Sequence, residues 1–308
     1  MLPFRLAPVF KDYLWGGTKL ITEWGKTPGT KILAESWELA SHPDGDSVIL
    51  DGELTGLTLS EAVKRCPEIV SPVFRPSETF PLMVKLIDAQ KPLSVQVHPF
   101  NDYARRVEHS KGKTEAWYVL DHDEGAFIYL GFRESVSRHD FEQAIADGTV
   151  TGLLRKVYVK TGGLYFIPAG TIHAIGAGIL LAEIQENSNI TYRVYDYGRL
   201  GADGKPRELH IAKALDVTNT FPLNITPPGS RGNVVVDCSK FRVERVNAPY
   251  EGRAGEGFMF LLCIEGEGEF SCEGVKFELK RGSNVYVPAD CGGSFRLEGA
   301  CGCLVTTQ

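Results

Sequence analysis

Long apolar runs are missing from this 308-residue chain. The longest candidates, Ile175 to Ala182 and Phe258 to Ile264, fall well short of the roughly 18 residues that a membrane-spanning helix needs. Membrane insertion is therefore not expected. An excess of basic residues is missing too. Lys and Arg number 33 against 39 Asp and Glu, a formal charge of -6, which disfavours attraction to phosphate backbones or anionic lipid. Nucleic acid is not an expected partner. The N-terminal stretch MLPFRLAPVFKDYLWGG has prolines and charges where a secretory signal would be apolar, so a cytoplasmic protein is expected. Cysteine is sparse and odd in number. Six of the seven lie between Cys238 and Cys303, and the one close pair, Cys301-Gly-Cys303, has the wrong spacing for a zinc knuckle. Buried or idle thiols are the expected reading.

Turn formers are plentiful, with 33 Gly and 17 Pro, and a chain of this length has room for about two domains. Turn signals such as Asp51-Gly52, Asp147-Gly148 and Asp203-Gly204 separate short runs of Val, Ile, Tyr and Phe. That pattern predicts a mainly β chain. Few helices are expected: Leu59 to Cys66 behind a capping Thr58, Arg138 to Ala146 ended by Gly148, and Glu208 to Leu215. Thr220 to Gly232 carries three prolines and two glycines without apolar periodicity, and reads as a linker. A first domain over residues 1–225 and a second over 226–308 follow.

The two parts share one plan. Gly163-Leu-Tyr-Phe-Ile-Pro-Ala-Gly-Thr-Ile-His173 matches Gly282-Ser-Asn-Val-Tyr-Val-Pro-Ala-Asp-Cys-Gly-Gly293 in character. Upstream, Ala116 to Phe127 matches Met259 to Phe270, each a strand, a Gly turn and another strand. The pattern resembles the cupin jelly roll, so two duplicated β-barrels are expected. Sliding one copy onto the other sets His173 against Gly293 and Glu115 against Phe258, which leaves metal ligands in the first barrel alone.

Leu93, Val95 and Val97 alternate with Ser94, Gln96 and His98, which puts Gln96 and His98 on one strand face. Glu115 opens the next long strand, and His173 follows the Pro-Ala turn. Two imidazoles, a carboxylate and an amide suit Zn²⁺ with a position left open to substrate. Such a site keeps about one positive charge, able to stabilise an oxyanion on a bound sugar. Taken singly, each residue has a plainer reading: a solvent-facing His98, a surface Glu115, a turn residue at 173, and Gln96 bonded to a ligand rather than ligating.

A closer resemblance rests on Pro92-Leu-Ser-Val-Gln-Val-His-Pro99, Gly112-Lys-Thr-Glu115, Ile167-Pro-Ala-Gly-Thr-Ile-His-Ala-Ile-Gly176 and Glu183-Ile-Gln-Glu-Asn-Ser-Asn-Ile-Thr-Tyr-Arg193. These segments, with Trp15-Gly-Gly17 and Glu35-Ser-Trp-Glu38, resemble the type I mannose-6-phosphate isomerase family. The resemblance implies one zinc ion on Gln96, His98, Glu115 and His173, a catalytic Arg193, and interconversion of mannose 6-phosphate and fructose 6-phosphate. Only 57 residues separate Glu115 from His173, as in the short bacterial form. Glu183 and Lys113 are further candidates, the first as proton shuttle and the second as acid or phosphate contact. Arg199 and Lys85 are candidates for phosphate. The expected partner is a hexose 6-phosphate, the expected assembly a monomer or homodimer. Two other readings fit the same residues. His98, Glu115 and His173 also form the 2-His-1-carboxylate set of Fe(II) dioxygenases, and a noncatalytic sugar-phosphate-binding cupin would keep the pocket.

Overall fold

A computed structural model describes residues 1–201 and 204–308, so the Asp203-Gly204 turn signal lies partly outside the described residues. The first part contributes eleven main strands: β1 (Val9–Lys11), β2 (Glu35–Leu39), β3 (Leu82–Ala89), β4 (Val95–Val97), β5 (Glu115–His122), β6 (Phe127–Phe132), β7 (Leu154–Tyr158), β8 (Leu164–Ile167), β9 (His173–Ile175), β10 (Ile179–Glu186) and β11 (Tyr192–Tyr195). They form two antiparallel sheets, ordered β8-β5-β10-β3-β2-β1 and β7-β6-β9-β4-β11. Trp117, Leu181 and Ile87 of the first sheet meet Ile128, Leu130 and Ile175 of the second in one buried cluster. The expected barrel is thus two sheets packed face to face, without a ring of hydrogen bonds closing it.

The second part is a seven-stranded antiparallel sheet built from β12 (Val234–Asp237), β13 (Arg242–Asn247), β14 (Tyr250–Arg253), β15 (Met259–Cys272), β16 (Val275–Lys280), β17 (Asn284–Val287) and β18 (Ser294–Thr307). No helix or strand of the described residues lies between Val217 and Val234, where the linker is expected.

The centre of the first sheet is buried on both faces, which explains why β3 and β10 read as near-continuous apolar runs. On β10, Leu180, Ala182 and Ile184 face a cluster that also holds Phe258, just before β15, and Phe260 and Leu262 on it. The intervening Ile179 and Leu181 point the other way, and Glu183 and Gln185 continue their face. Phe258 and Tyr286 of the second part stack at 5.3 Å beside this seam, and Phe4 of the first part stacks on Tyr286 across it at 5.0 Å. The two halves therefore share a core.

The seam corrects the sequence alignment of the copies. Ile167 stands opposite Glu115 in the β8/β5 ladder, and its equivalent Val287 stands opposite Met259 in the β17/β15 ladder. Met259, not Phe258, occupies the place of Glu115. A one-residue slip turns every side chain to the other face, and Phe258 faces the seam while Met259 faces the second core.

Helices are short: α1 (Lys19–Thr22), α2 (Leu59–Arg65), α3 (Asn101–Glu108), α4 (Arg138–Ala146) and α5 (Ile211–Val217). Thr58 caps α2 in a capping box with Glu61, and Ser137 caps α4. The third expected helix begins at Ile211 rather than Glu208. The stretch before it stays extended because His210 N–H donates to the Arg193 carbonyl at 2.8 Å and Arg193 Nη1 donates to the Glu208 carbonyl. No helix among the described residues is long and apolar enough to cross a membrane.

Candidate active site

Three neighbouring strands of one sheet and one strand of the facing sheet bring the candidate ligands together. Gln96 sits on β4, directly opposite His173 on β9 and Arg193 on β11. His98 follows β4 by one residue, and Glu115 begins β5. Val95 and Val97 enter the apolar cluster behind the sheet, which leaves Gln96 and His98 facing inward, as the alternation predicts. The turn that delivers His173 depends on Gly170, whose φ is +81° and where a Cβ would lie 2.3 Å from the Phe100 ring. Only glycine accommodates both constraints.

His98, Glu115 and His173 form a buried group whose donor atoms all lie within 4.8 Å of one another, the one such group among the described residues. Glu115 Oε2 lies 3.5 Å from His98 Nε2, and Glu115 Oε1 lies 3.4 Å from His173 Nε2. The two imidazoles are oriented from behind. His98 Nδ1 is 2.8 Å from the Ile190 carbonyl, and His173 Nδ1 is 2.8 Å from the Thr171 carbonyl. A carbonyl only accepts, so each Nδ1 carries the proton and each Nε2 keeps its lone pair toward Glu115. Burial pushes His98 well below the ordinary imidazole range and His173 down to about 4, so both are neutral at pH 7.

The neutral tautomer does not satisfy this group. His98 Nε2 and Glu115 Oε1 are fully enclosed and have no hydrogen-bond partner, a costly state for buried polar atoms. Two inward lone pairs and a carboxylate are the donor set of a divalent cation, and a cation among them would satisfy these orphaned atoms. Gln96 extends the set. Its amide lies 3.5 Å from His173 Nε2 while its other end accepts from Ser94 Oγ at 3.2 Å.

Beside the group runs a chain of buried charges. Lys113 Nζ is 2.7 Å from Glu115 Oε2 and 3.3 Å from Glu183 Oε1. Glu183 also lies 3.6 Å from Lys85, which in turn lies 3.6 Å from Glu35. Trp117 Nε1 donates to Glu183 Oε2 at 3.0 Å, and Trp37 Nε1 donates to Glu35 at 2.6 Å. Burial opposes charge on Lys113, but Glu115 and Glu183 hold its ammonium pKa above the usual lysine range. Burial, with the nearby charge of Glu183, pushes Glu115 up to about 7 despite Lys113. Glu183 is also disfavoured by burial, yet Lys113 and Lys85 keep it below the usual carboxylate range. With Glu115 ionised, three carboxylates and two ammonium groups leave one negative charge enclosed. A dication would turn it into one positive charge.

A cleft of about 280 Å³ opens onto this chain, lined in part by Lys85, Gln96, Lys113, Glu183, Arg193 and Arg207. Arg193 Nε donates to Ser94 Oγ at 3.2 Å, which links it through Ser94 to Gln96. Burial, together with the positive charge of Arg207, lowers Arg193 below the usual guanidinium range. Arg207 and His210, which also line the cleft, are absent from the sequence-derived candidates. Neither sits in an alternating strand beside the ligands, and only their return across β11 brings them there. Arg199, a phosphate candidate, is not among the lining residues; it is bonded to Asp196 and the Pro92 carbonyl.

The same arrangement of chain is found in known proteins. The family model described as phosphomannose isomerase type I, catalytic domain, matches residues 3–129, and that described as mannose-6-phosphate isomerase, cupin domain, matches residues 234–308. A probable mannose-6-phosphate isomerase of Bacillus subtilis is 38% identical over 99% of this chain and 98% of that protein. A mannose-6-phosphate isomerase of Streptococcus mutans is 36% identical over 93% of this chain and 92% of its own. The crystal structure of the Bacillus subtilis mannose 6-phosphate isomerase superposes with a TM-score of 0.92 at 34% identity, covering 100% of both chains. This chain belongs to the type I phosphomannose isomerase family.

Proposed function

We propose that the protein interconverts mannose 6-phosphate and fructose 6-phosphate, moving a proton between C1 and C2 of the open-chain sugar through an enediolate. The observation that carries this reading is the orphaned His98–Glu115–His173 group, placed at the inner end of a cationic cleft in a chain resembling named isomerases over its full length. That likeness favours an isomerase over an Fe(II) dioxygenase or a noncatalytic sugar-phosphate binder.

His98, Glu115 and His173 would hold one zinc ion per chain, with Gln96 as a fourth donor. A half-turn of the amide brings its oxygen toward the imidazoles, and the two ends of an amide differ little in shape. Bound there, the ion supplies Lewis acidity toward the sugar oxygens.

The chain's own residues do the rest. Lys113 stays protonated and donates to a sugar oxygen near C1 or C2, while Glu183 fixes its ammonium from behind and does not itself shuttle the proton. Both Glu183 oxygens are engaged, one by Lys113 and Lys85 and the other by Trp117. The guanidinium of Arg193 faces the cleft and stabilises negative charge developing on the enediolate. Arg207 lines the cleft as a guanidinium suited to the phosphate, its charge shared with Asp196, and His210, which burial lowers below the ordinary imidazole range, offers a neutral N–H donor. Residues 1–225 form the catalytic unit, and residues 226–308 cover the outer face of its sheet. The working location is the cytoplasm, where hexose phosphates are made.

The test is a coupled assay of mannose 6-phosphate conversion by the purified chain. Wild-type protein should turn over, and His173→Ala and Arg193→Ala should each lose at least a hundredfold in kcat/KM. A folded wild-type protein that converts no mannose 6-phosphate, or a His173→Ala variant with full activity, overturns the assignment.

A further inference from the structure

All seven cysteines are free thiols, and two of them meet at a place the isomerase reading does not use. Cys272 ends β15 and pairs with Val275 across the two-residue turn Glu273-Gly274. Both turn residues have positive φ, 48° and 79°, as a tight hairpin requires. Cys291 closes the 3-10 turn Ala289–Cys291 that follows β17. The hairpin tip rests on the end of that turn, so closely that a Cβ at Gly293 would lie 2.2 Å from Glu273 Oε1. Across this contact the two sulfur atoms are 3.7 Å apart.

Access to the pair is one-sided. Cys272 is buried, whereas Cys291 is half-buried and lines a cavity of about 500 Å³ together with Met1, Phe4, Glu273 and Asp290. Cys263, Cys301 and Cys303 form another thiol cluster in the second core, but all three are buried away from any such opening.

We propose that Cys272 and Cys291 are a redox modification site, a dithiol that closes to an intramolecular disulfide when a peroxide reaches Cys291. In the first step Cys291 Sγ attacks hydrogen peroxide, the O–O bond breaks, and the sulfur becomes a sulfenic acid as one water is released. Cys272 Sγ then attacks that sulfur. The S–S bond forms, the S–O bond breaks, and the departing hydroxide takes the Cys272 proton to leave as a second water. Two thiols are oxidised and one peroxide is reduced. Burial and the hydrogen bond with Cys291 push the Cys272 thiol up to about 12, which agrees with Cys291 as the site of first attack. The short separation makes the second step intramolecular and compensates for the weak acidity of Cys272.

The bond would join two turns of the second part, one of which lies beside the seam between the halves. Asp290, one residue before Cys291, accepts from the N-terminal amine at 2.7 Å, and Phe4 and Tyr286 exchange backbone hydrogen bonds at 3.0 and 2.8 Å. Oxidation would tie the hairpin tip to the turn that anchors the N-terminus, away from the catalytic cleft.

The experiment treats the full chain with hydrogen peroxide, alkylates the remaining thiols, digests the protein and maps the peptides by mass spectrometry. The expected result is a cross-linked peptide joining Cys272 to Cys291, lighter by two hydrogens, with the other five cysteines alkylated and full reversal by dithiothreitol. Cys272→Ser should instead trap Cys291 as a sulfenic acid that dimedone captures, and Cys291→Ser should leave Cys272 alkylated. The oxidised wild type should melt at a higher temperature than the reduced form, and neither variant should show that shift. Seven alkylated cysteines after oxidation, a disulfide between other cysteines, or sulfinic acid at Cys291 without the cross-link would overturn the proposal.

Discussion

Replacing Lys113 with methionine removes one of two ammonium groups from a buried chain that also holds Glu35, Glu115 and Glu183. The side chain is about 6% exposed, so solvent cannot screen what remains. Glu183 keeps Lys85 and Trp117, but ionised Glu115 keeps only the more distant charge of Lys85. Stranding a buried charge in this way costs about 3–5 kcal/mol. Glu183→Gln is milder, because Lys113 keeps Glu115 and Lys85 keeps Glu35, and about 1–3 kcal/mol is expected from the lost charged contacts. The two changes are coupled, since a methionine beside a neutral glutamine faces less uncompensated charge. The double variant should be less destabilised than the sum of the singles by about 0.5–3 kcal/mol. Urea unfolding of all four chelated proteins at one pH measures the cycle, with similar slopes as the check on two-state behaviour. Additive costs, or a Lys113→Met cost under about 1 kcal/mol, would refute the claim that these charges form one buried network.

Other expectations rest on separate features. Thr58→Ala removes the side-chain half of a capping box on α2 and should cost about 1 kcal/mol in urea unfolding, with no change in turnover. Gly170→Ala forces a side chain into a positive-φ turn against the Phe100 ring and should lower metal content as His173 shifts, measured on folded protein. Asp196 is disfavoured by burial, yet the fork from Arg207 and the bond from Arg199 hold its pKa below the usual range. A depressed carboxylate contributes stability above its unfolded pKa and loses it as pH falls through the lower, folded value. Wild-type protein should therefore exceed Asp196→Asn in stability at pH 7, and the gap should narrow only below about pH 4. A gap that is constant from pH 7 to pH 3 would contradict this.

Much of the site was legible because its residues are close in sequence or sit at strand ends with fixed parity. Gln96 and His98 alternate with Val95 and Val97, and the structure keeps that alternation. The charged chain behind them was not legible. Lys85 reaches Glu183 because β3 and β10 are neighbours, and Glu35 reaches Lys85 through the β2/β3 ladder. No local pattern encodes those pairings. Helices α2 and α4 announce themselves by Thr58 and Ser137 caps and apolar faces. Helix α3 has neither, with only Ala104 buried and no side-chain cap. It is held by its surroundings: Tyr192 Oη and Lys213 Nζ both bond to Glu108, its last residue. The slip that set Phe258 against Glu115 has a similar origin. Both faces of β15 are apolar over Met259 to Ile264, so hydrophobicity alone does not reveal which one faces its own core.

One divalent ion, held by His98, Glu115 and His173, is proposed to be required for turnover. The direct measurement strips the protein with a chelator and follows mannose 6-phosphate isomerisation while Zn²⁺ is added back. The rate should begin near zero, rise linearly and reach its plateau at one equivalent per chain, with no recovery in His173→Ala. A stripped protein that isomerises at the full rate before any metal is added would contradict it.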